Sequence, residues 1–154
     1  MTRLGIWGTL LLTGMMLGLT ACASTTSSSE STPTPSLYRR LGGREGIAGV
    51  VDAFVANATA DPRIGPAFKA LPAAKVGPLK SNIADFLCEN TGSPCSYLGR
   101  TMKESHKGLG LAKEDFDACN AALAKALDSS NVAAADKEQV MKLVQSLMPD
   151  IVGQ

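Results

Sequence analysis

The sequence predicts an all-α domain over residues 36–154, and three observations indicate this fold class. Apolar residues recur at the three- and four-residue spacing of buried helical faces along most of this region. No segment alternates apolar and polar residues as a half-buried strand would. Glycine and proline separate the apolar stretches and therefore mark the helix ends.

A leader precedes the domain. Arg3 gives it a basic start, residues 4–19 are largely apolar, and small residues follow, which is the order of a secretory signal. The Leu-Thr-Ala-Cys ending at residues 19–22 resembles a bacterial lipoprotein signal, and this implies removal of residues 1–21 and lipidation of Cys22. A single transmembrane anchor is the alternative, although the apolar run is short for spanning and has no basic flank on its far side.

Residues 22–35 are predicted to be the lipid-bearing cysteine and a disordered tether, because Ser, Thr and Pro dominate and leave little apolar surface to bury. Removal of the leader takes Arg3 from the 15 basic residues and leaves 14 against 14 acidic ones. A neutral chain has no basic field for nucleic acid. We therefore expect a protein held by its lipid on the periplasmic or extracellular face of a bacterial membrane.

In the first half of the domain, a short helix is predicted around residues 36–41. A Gly-Gly turn separates it from a long helix that ends at Asp61, because the residue before a proline avoids the helical region. The long helix has an apolar face of Ile47, Val50, Val51, Phe54, Val55 and Ala58. Prolines predict a loop with short turns over residues 63–76. The next helix is predicted to start close to Pro78, since proline is tolerated in a first turn.

That helix carries Leu79, Ile83, Phe86 and Leu87 on one face, and the Gly-Ser-Pro run at residues 92–94 ends it. A short helix is predicted over residues 100–107, followed by glycines. Another begins near Lys113, where acidic residues suit a helix amino end. Its apolar residues are Phe116, Leu123 and Leu127. A last helix from about Ala134 turns Val140, Leu143, Val144 and Leu147 inward.

Candidate chemistry centres on His106, the one histidine of the chain. A lone histidine is more often a structural or surface residue than a ligand. Here its short helix lies between a Pro/Gly-rich loop and a Gly-Leu-Gly exit, and Met102, four residues earlier, shares its face. Such a helix can present a side chain into a cavity.

Besides Cys22 there are three cysteines. Cys88 and Cys95 bracket a turn-rich stretch, and we predict a disulfide between them in an oxidising compartment. Cys119 is predicted to be a small buried apolar residue. The alternative is a zinc site made by these three cysteines and His106, although their separations do not match the close pairs of structural zinc sites.

Several of these runs resemble a group I truncated haemoglobin. They are Leu-Tyr-Arg-Arg-Leu-Gly-Gly-Arg at 37–44, Val-Asp-Ala-Phe at 51–54, Ala-Asp-Pro-Arg at 60–63, Phe-Leu at 86–87, Tyr-x-Gly-Arg-x-Met-x-x-x-His at 97–106 and Phe-Asp at 116–117. The resemblance covers nearly all of residues 36–154. It implies a two-over-two helical sandwich around haem b, with His106 as the proximal iron ligand. No Cys-x-x-Cys-His is present, so covalent c-type attachment is not expected.

The resemblance places Leu79, Asn82 and Ile83 on the distal helix, and Val55 where the family often has tyrosine. Of these four, only Asn82 can donate a hydrogen bond to a gas. Such a bond is worth about 1.5–3 kcal/mol, so its loss predicts fast oxygen release. The apolar pocket therefore favours carbon monoxide, nitric oxide or haem itself as cargo. Plain helix packing is the alternative role for Leu79 and Ile83.

The residues expected to contact the haem are Phe54, Phe68, Leu79, Ile83, Phe86, Met102, Leu109 and Phe116. Candidate partners for its propionates are Lys80, Tyr97, Arg100 and Lys103. The predicted function is reversible binding of oxygen, nitric oxide and carbon monoxide outside the cytoplasm. Slow nitric-oxide or peroxide chemistry stays open, and the reductase that would serve it is unspecified. The alternative is a lipid-anchored helical interaction module that holds no haem.

Overall fold

The structure, a computed structural model, describes residues 34–154, so the predicted leader, the lipidation of Cys22 and most of the tether lie outside the described residues. Within residues 34–154 there are eight helices and no strand, which confirms the all-α prediction. The helices are α1 (Leu37–Arg40), α2 (Gly43–Ala60), α3 (Gly65–Lys69), α4 (Ala73–Asn90), α5 (Met102–His106), α6 (Lys113–Ser129), α7 (Ala134–Gln145) and α8 (Met148–Ile151). In this part of the chain no helix has the length and apolar character needed to cross a membrane.

The four long helices form two pairs. Helix α2 packs against α4, α6 packs against α7, and α2 also packs extensively on α6. The main hydrophobic core joins all four helices, and its least exposed side chains include Ile47 and Val51 of α2, Leu127 of α6 and Val140 of α7. This arrangement is the predicted two-over-two sandwich. Helix α5 contributes no residue to the buried core.

The predicted start of α4 is wrong by five residues. The helix begins at Ala73, with Pro72 as its N-cap, and Pro78 lies inside it. Proline lacks the N–H that would bond the carbonyl of Ala74. Ala74 and Pro78 are both exposed, so water can bond this carbonyl and the helix continues. Part of the predicted 63–76 loop is therefore helical, as α3 and the first turn of α4.

Three glycines shape the entry to α2, and an ion pair holds the helix that precedes it. Gly42 and Gly43 have φ angles of 85° and 68°, which form the left-handed turn after α1. A Cβ on Gly46 would lie 2.0 Å from the carbonyl oxygen of Leu41, so no larger residue fits there. Across the domain, Arg40 Nε donates to Asp136 Oδ1 at 2.8 Å and thereby ties α1 to the start of α7.

Candidate haem-binding site

The ring of His106 has a defined orientation. Its Nδ1 lies 2.7 Å from the carbonyl oxygen of Met102, one turn earlier in α5. A carbonyl only accepts, so Nδ1 carries a hydrogen and donates the hydrogen bond. In the neutral imidazole, Nε2 is then the nitrogen with the lone pair that can ligate a metal. The half-buried His106 is therefore prepared to act as a ligand through Nε2.

The helix that carries His106 has only five residues, and a capping box starts it. Thr101 Oγ1 accepts from the Glu104 amide at 3.2 Å, and the Glu104 carboxylate accepts from the Thr101 amide at 3.0 Å. The bonds from Thr101, led by the one from its side chain, hold the pKa of Glu104 below its usual value. Beyond the helix, the amide of Gly110 donates to the carbonyl of Gln154 at 3.1 Å.

Apolar surface remains uncovered around α4 and α5. Helix α5 has its main contacts with α8, and it is not packed closely on α4. Leu79 and Met102 are half-buried, Leu109 is 60% exposed, and none of them belongs to a core cluster of the described residues. A flat apolar group that offers a metal to Nε2 of His106 would cover such surface. The residues present therefore fit a haem.

Four further predicted contacts are half-buried aromatic or branched side chains that partly touch the core: Phe54, Phe68, Ile83 and Phe86. Phe54 and Phe68 meet edge to face with ring centroids 6.1 Å apart. Phe116 and Val55 differ, since they are only 3% and 7% exposed. Protein atoms already cover these two side chains, so little of either is left to contact a cofactor or a gas. Asn82 is exposed on α4.

The propionate candidates divide into two groups. Lys80 pairs with Asp52 at 2.9 Å, and the Tyr97 hydroxyl donates to the carbonyl of Arg100 at 2.7 Å. Arg100 and Lys103 are exposed and have no ion pair within residues 34–154. Arg100 and Lys103 are therefore better placed than Lys80 and Tyr97 to pair with a haem propionate.

The structure joins Cys88 and Cys95 by a disulfide, with their Cα atoms 5.8 Å apart. Burial, with smaller effects from Asp115 and Asp61, raises the pKa of the free Cys119 thiol to about 11. The described residues contain no group of three His, Cys, Asp or Glu side chains placed to hold a metal ion. The zinc alternative is therefore wrong.

Two surface clefts lie outside the set of predicted haem contacts. One of about 260 Å³ between α2 and α4 is lined by Arg44, Ala48, Val51, Asp52, Lys80, Ser81 and Ala84. Another of about 210 Å³ is lined by Asn57, Ala60, Asp61, Ala121, Ala122 and Lys125. Neither includes His106 or one of the eight predicted haem contacts, although the first includes the propionate candidate Lys80.

Comparison with known proteins decides the family. The bacterial-like globin family model matches residues 36–152. The chain belongs to the bacterial-like globins. The group 1 truncated haemoglobin of Tetrahymena pyriformis is 30% identical to this globin over 117 residues, which are 76% of this chain and 94% of the relative. That of Mycolicibacterium paratuberculosis is 28% identical over 116 residues, 75% of this chain and 83% of the relative.

Solved structures agree with this membership. The Fe(III) form of the T. pyriformis truncated haemoglobin matches this globin with a TM-score of 0.72 at 29% identity, and the match covers 78% of this chain and all of that one. A second match is the 2/2 haemoglobin of Synechococcus sp. PCC 7002, solved in the cyanomet state with covalently attached haem. Its TM-score is 0.68 at 28% identity, and the match covers 78% of this chain and all of that one. Globins bind diatomic gases through haem iron, so this globin has a haem- and gas-binding role.

Two features of the site in this globin were missed from the sequence. The Thr-x-x-Glu run at residues 101–104 is a capping-box signal that could have located the start of α5. The bond from the Tyr97 hydroxyl to the carbonyl of Arg100 has no comparable sequence signal, because a carbonyl acceptor is present at every residue.

Proposed function

We propose that this globin holds haem b through Nε2 of His106 and reversibly binds small diatomic gases outside the cytoplasm. The observation that carries the proposal is the bond from His106 Nδ1 to the Met102 carbonyl, since it orients the ring and leaves Nε2 as the nitrogen that can ligate the iron. When bound, haem would supply an iron that can take up a diatomic gas. The apolar faces of Leu79 and Met102 would cover the macrocycle and keep water from it.

The residues predicted on the distal side of the proposed site offer a bound gas few hydrogen-bond donors. Val55, Leu79 and Ile83 have no hydrogen-bond donor, and Asn82 is exposed. A donated hydrogen bond favours oxygen most, because bound oxygen carries more negative charge than bound carbon monoxide. We therefore propose that this globin prefers carbon monoxide and nitric oxide over oxygen, relative to a globin with a distal donor.

The visible spectrum tests the haem proposal. The full chain, purified from a haem-supplied bacterial host, is compared with His106→Gly and with Lys107→Ala, an exposed neighbour that serves as the control. We expect an intense Soret band in the wild type and in Lys107→Ala, and a shift on addition of carbon monoxide. The band should be lost or displaced in His106→Gly and restored by added imidazole. A folded, helical, colourless wild type that takes up no added haem would contradict the proposal and favour the interaction module.

We also propose attachment through lipid on Cys22. The Cys88–Cys95 disulfide supports an oxidising compartment, where such bonds persist. Fractionation of cells that express the full chain, with intact mass of the purified product, tests it. The wild type should lie in the membrane fraction with a lipid on residue 22, and Cys22→Ser should lose both properties. Cys119→Ser is the matched control and should keep them. A soluble product with an unmodified Cys22 would refute the anchor.

A further inference from the structure

One side chain links the segment before α5 to helix α4. Residues 91–101 connect α4 to α5 without forming a helix or strand. Within them, the ring of Tyr97 meets the ring of Phe86 edge to face, with centroids 5.5 Å apart and an interplanar angle of 86°. Phe86 belongs to α4 and packs partly against the main core. The ring of Tyr97 is therefore fixed to the rigid part of the domain.

The other end of the same side chain holds the start of α5. The Tyr97 hydroxyl donates to the carbonyl of Arg100 at 2.7 Å, and Arg100 directly precedes Thr101, the N-cap of α5. The hydroxyl of Ser105, inside α5, also donates to this carbonyl, at 3.4 Å. One backbone oxygen thus receives bonds from the connecting segment and from the helix that carries His106.

Gly99 makes room for this arrangement. A Cβ at residue 99 would lie 2.4 Å from both Cζ and Oη of Tyr97. The φ angle of Gly99 is not in the left-handed region, so glycine is needed there for space and not for backbone conformation. The tyrosine can reach the Arg100 carbonyl only because residue 99 has no side chain.

We propose that Tyr97 is a positioning residue that ties the amino end of α5 to α4 and so holds His106 where it binds the haem iron. The inference rests on the proposed function of His106. A helix of five residues is not stable by itself, and α5 contributes no side chain to the buried core. Its position therefore depends on two sets of contacts. After α5 in the chain are α8 and the C-terminal residues, and before it is Tyr97.

Three substitutions in the full chain separate the ring contact of Tyr97 with Phe86 from the bond of its hydroxyl to Arg100. Tyr97→Phe keeps the contact with Phe86 and removes the bond to Arg100, Tyr97→Ala removes both, and Gly99→Ala pushes the ring away. Tyr38→Phe is the matched control, since its hydroxyl accepts from the Arg44 amide at 3.1 Å and this bond lies at the start of α2, not at α5. The measurements are hydrogen exchange of the peptide covering residues 101–107 in the haem-free chain, the rate of haem loss, and the iron–histidine stretching band of the loaded chain.

We expect Tyr97→Phe to speed both exchange and haem loss about fivefold, the change expected from one typical hydrogen bond. Tyr97→Ala and Gly99→Ala should have larger effects and displace the iron–histidine band, and Tyr38→Phe should change nothing. Unchanged exchange in Tyr97→Ala, in a chain that binds haem through His106, would overturn the positioning role alone. A wild type that takes up no haem would overturn the proposed function, and with it the purpose of the tie, whatever the exchange shows.

Discussion

Reduction of the Cys88–Cys95 disulfide should lower the free energy of unfolding of the domain. The length of the loop that the disulfide closes sets the amount. The two cysteines are seven positions apart. For a loop of this length, the lost restriction of the unfolded chain corresponds to about 2.5 kcal/mol at 25 °C. A dithiol reagent makes the change without substitution, because it becomes a disulfide itself and leaves two protein thiols.

The native fold should survive the reduction, so the effect lies in the unfolded state. Cys88 is 1% exposed within the main core, and its thiol can stay packed there. The turn after α4 also has bonds that do not involve sulfur. Ser93 Oγ donates to the carbonyl of Cys88 at 2.7 Å and accepts from the amide of Cys95 at 3.1 Å.

Thermal unfolding of the haem-free chain, followed by circular dichroism with and without reductant, measures the loss. We expect the midpoint to fall by about 8–15 °C, from about 3–6 °C per kcal/mol for a domain of this size. Cys95→Ser is the control, and its midpoint should not respond to reductant. A fall of less than about 2 °C in the wild type, with alkylation proving that both thiols are free, would refute the loop-closure reasoning.

Three further predictions concern packing and reactivity. Gly46→Ala should lower the free energy of unfolding by about 1–3 kcal/mol through collision with the Leu41 carbonyl. Gly49→Ala, in the same helix with open space around it, should raise it by about 0.5–1 kcal/mol; equal effects in urea unfolding would contradict this. Arg40→Met should cost about 2 kcal/mol in the same assay, because Asp136, 7% exposed, loses its partner; an unchanged midpoint would show that the pair contributes nothing. Since its raised pKa leaves little thiolate, Cys119 should react with iodoacetamide at pH 8 about a hundredfold slower than an ordinary cysteine, and faster as the pH rises toward 11; labelling as fast as in the unfolded chain would refute its burial.

The long helices could be predicted because each buries a periodic apolar face. The interpretation of α2 from Ile47 to Ala58 and of α6 from Lys113 agrees with the structure for this reason. The short helices α3 and α8 could not be predicted from periodicity, since four or five residues do not complete a repeat. Each has a proline in its first turn, where the ring stabilises a helix start that proline elsewhere would prevent.

Only part of the site was predictable. The family resemblance selected His106, and short-range helix geometry then accounts for its bond to Met102, four residues earlier. The contact between Phe86 and Tyr97 depends on how the chain returns along α4 after residue 90, which no local pattern specifies. The burial of Phe116 likewise depends on packing between distant elements, which no local pattern specifies.

Because α5 is absent from the core, folding of the domain and binding of haem can be considered as two separate steps. The buried side chains that drive folding belong to the long helices and the segments next to them, and none belongs to residues 92–112. The core is therefore built without α5, and in the proposed function haem would bind to a chain whose long helices are already packed. A chain that crosses a membrane unfolded would need this order of assembly, because it would have to collect its haem on the far side.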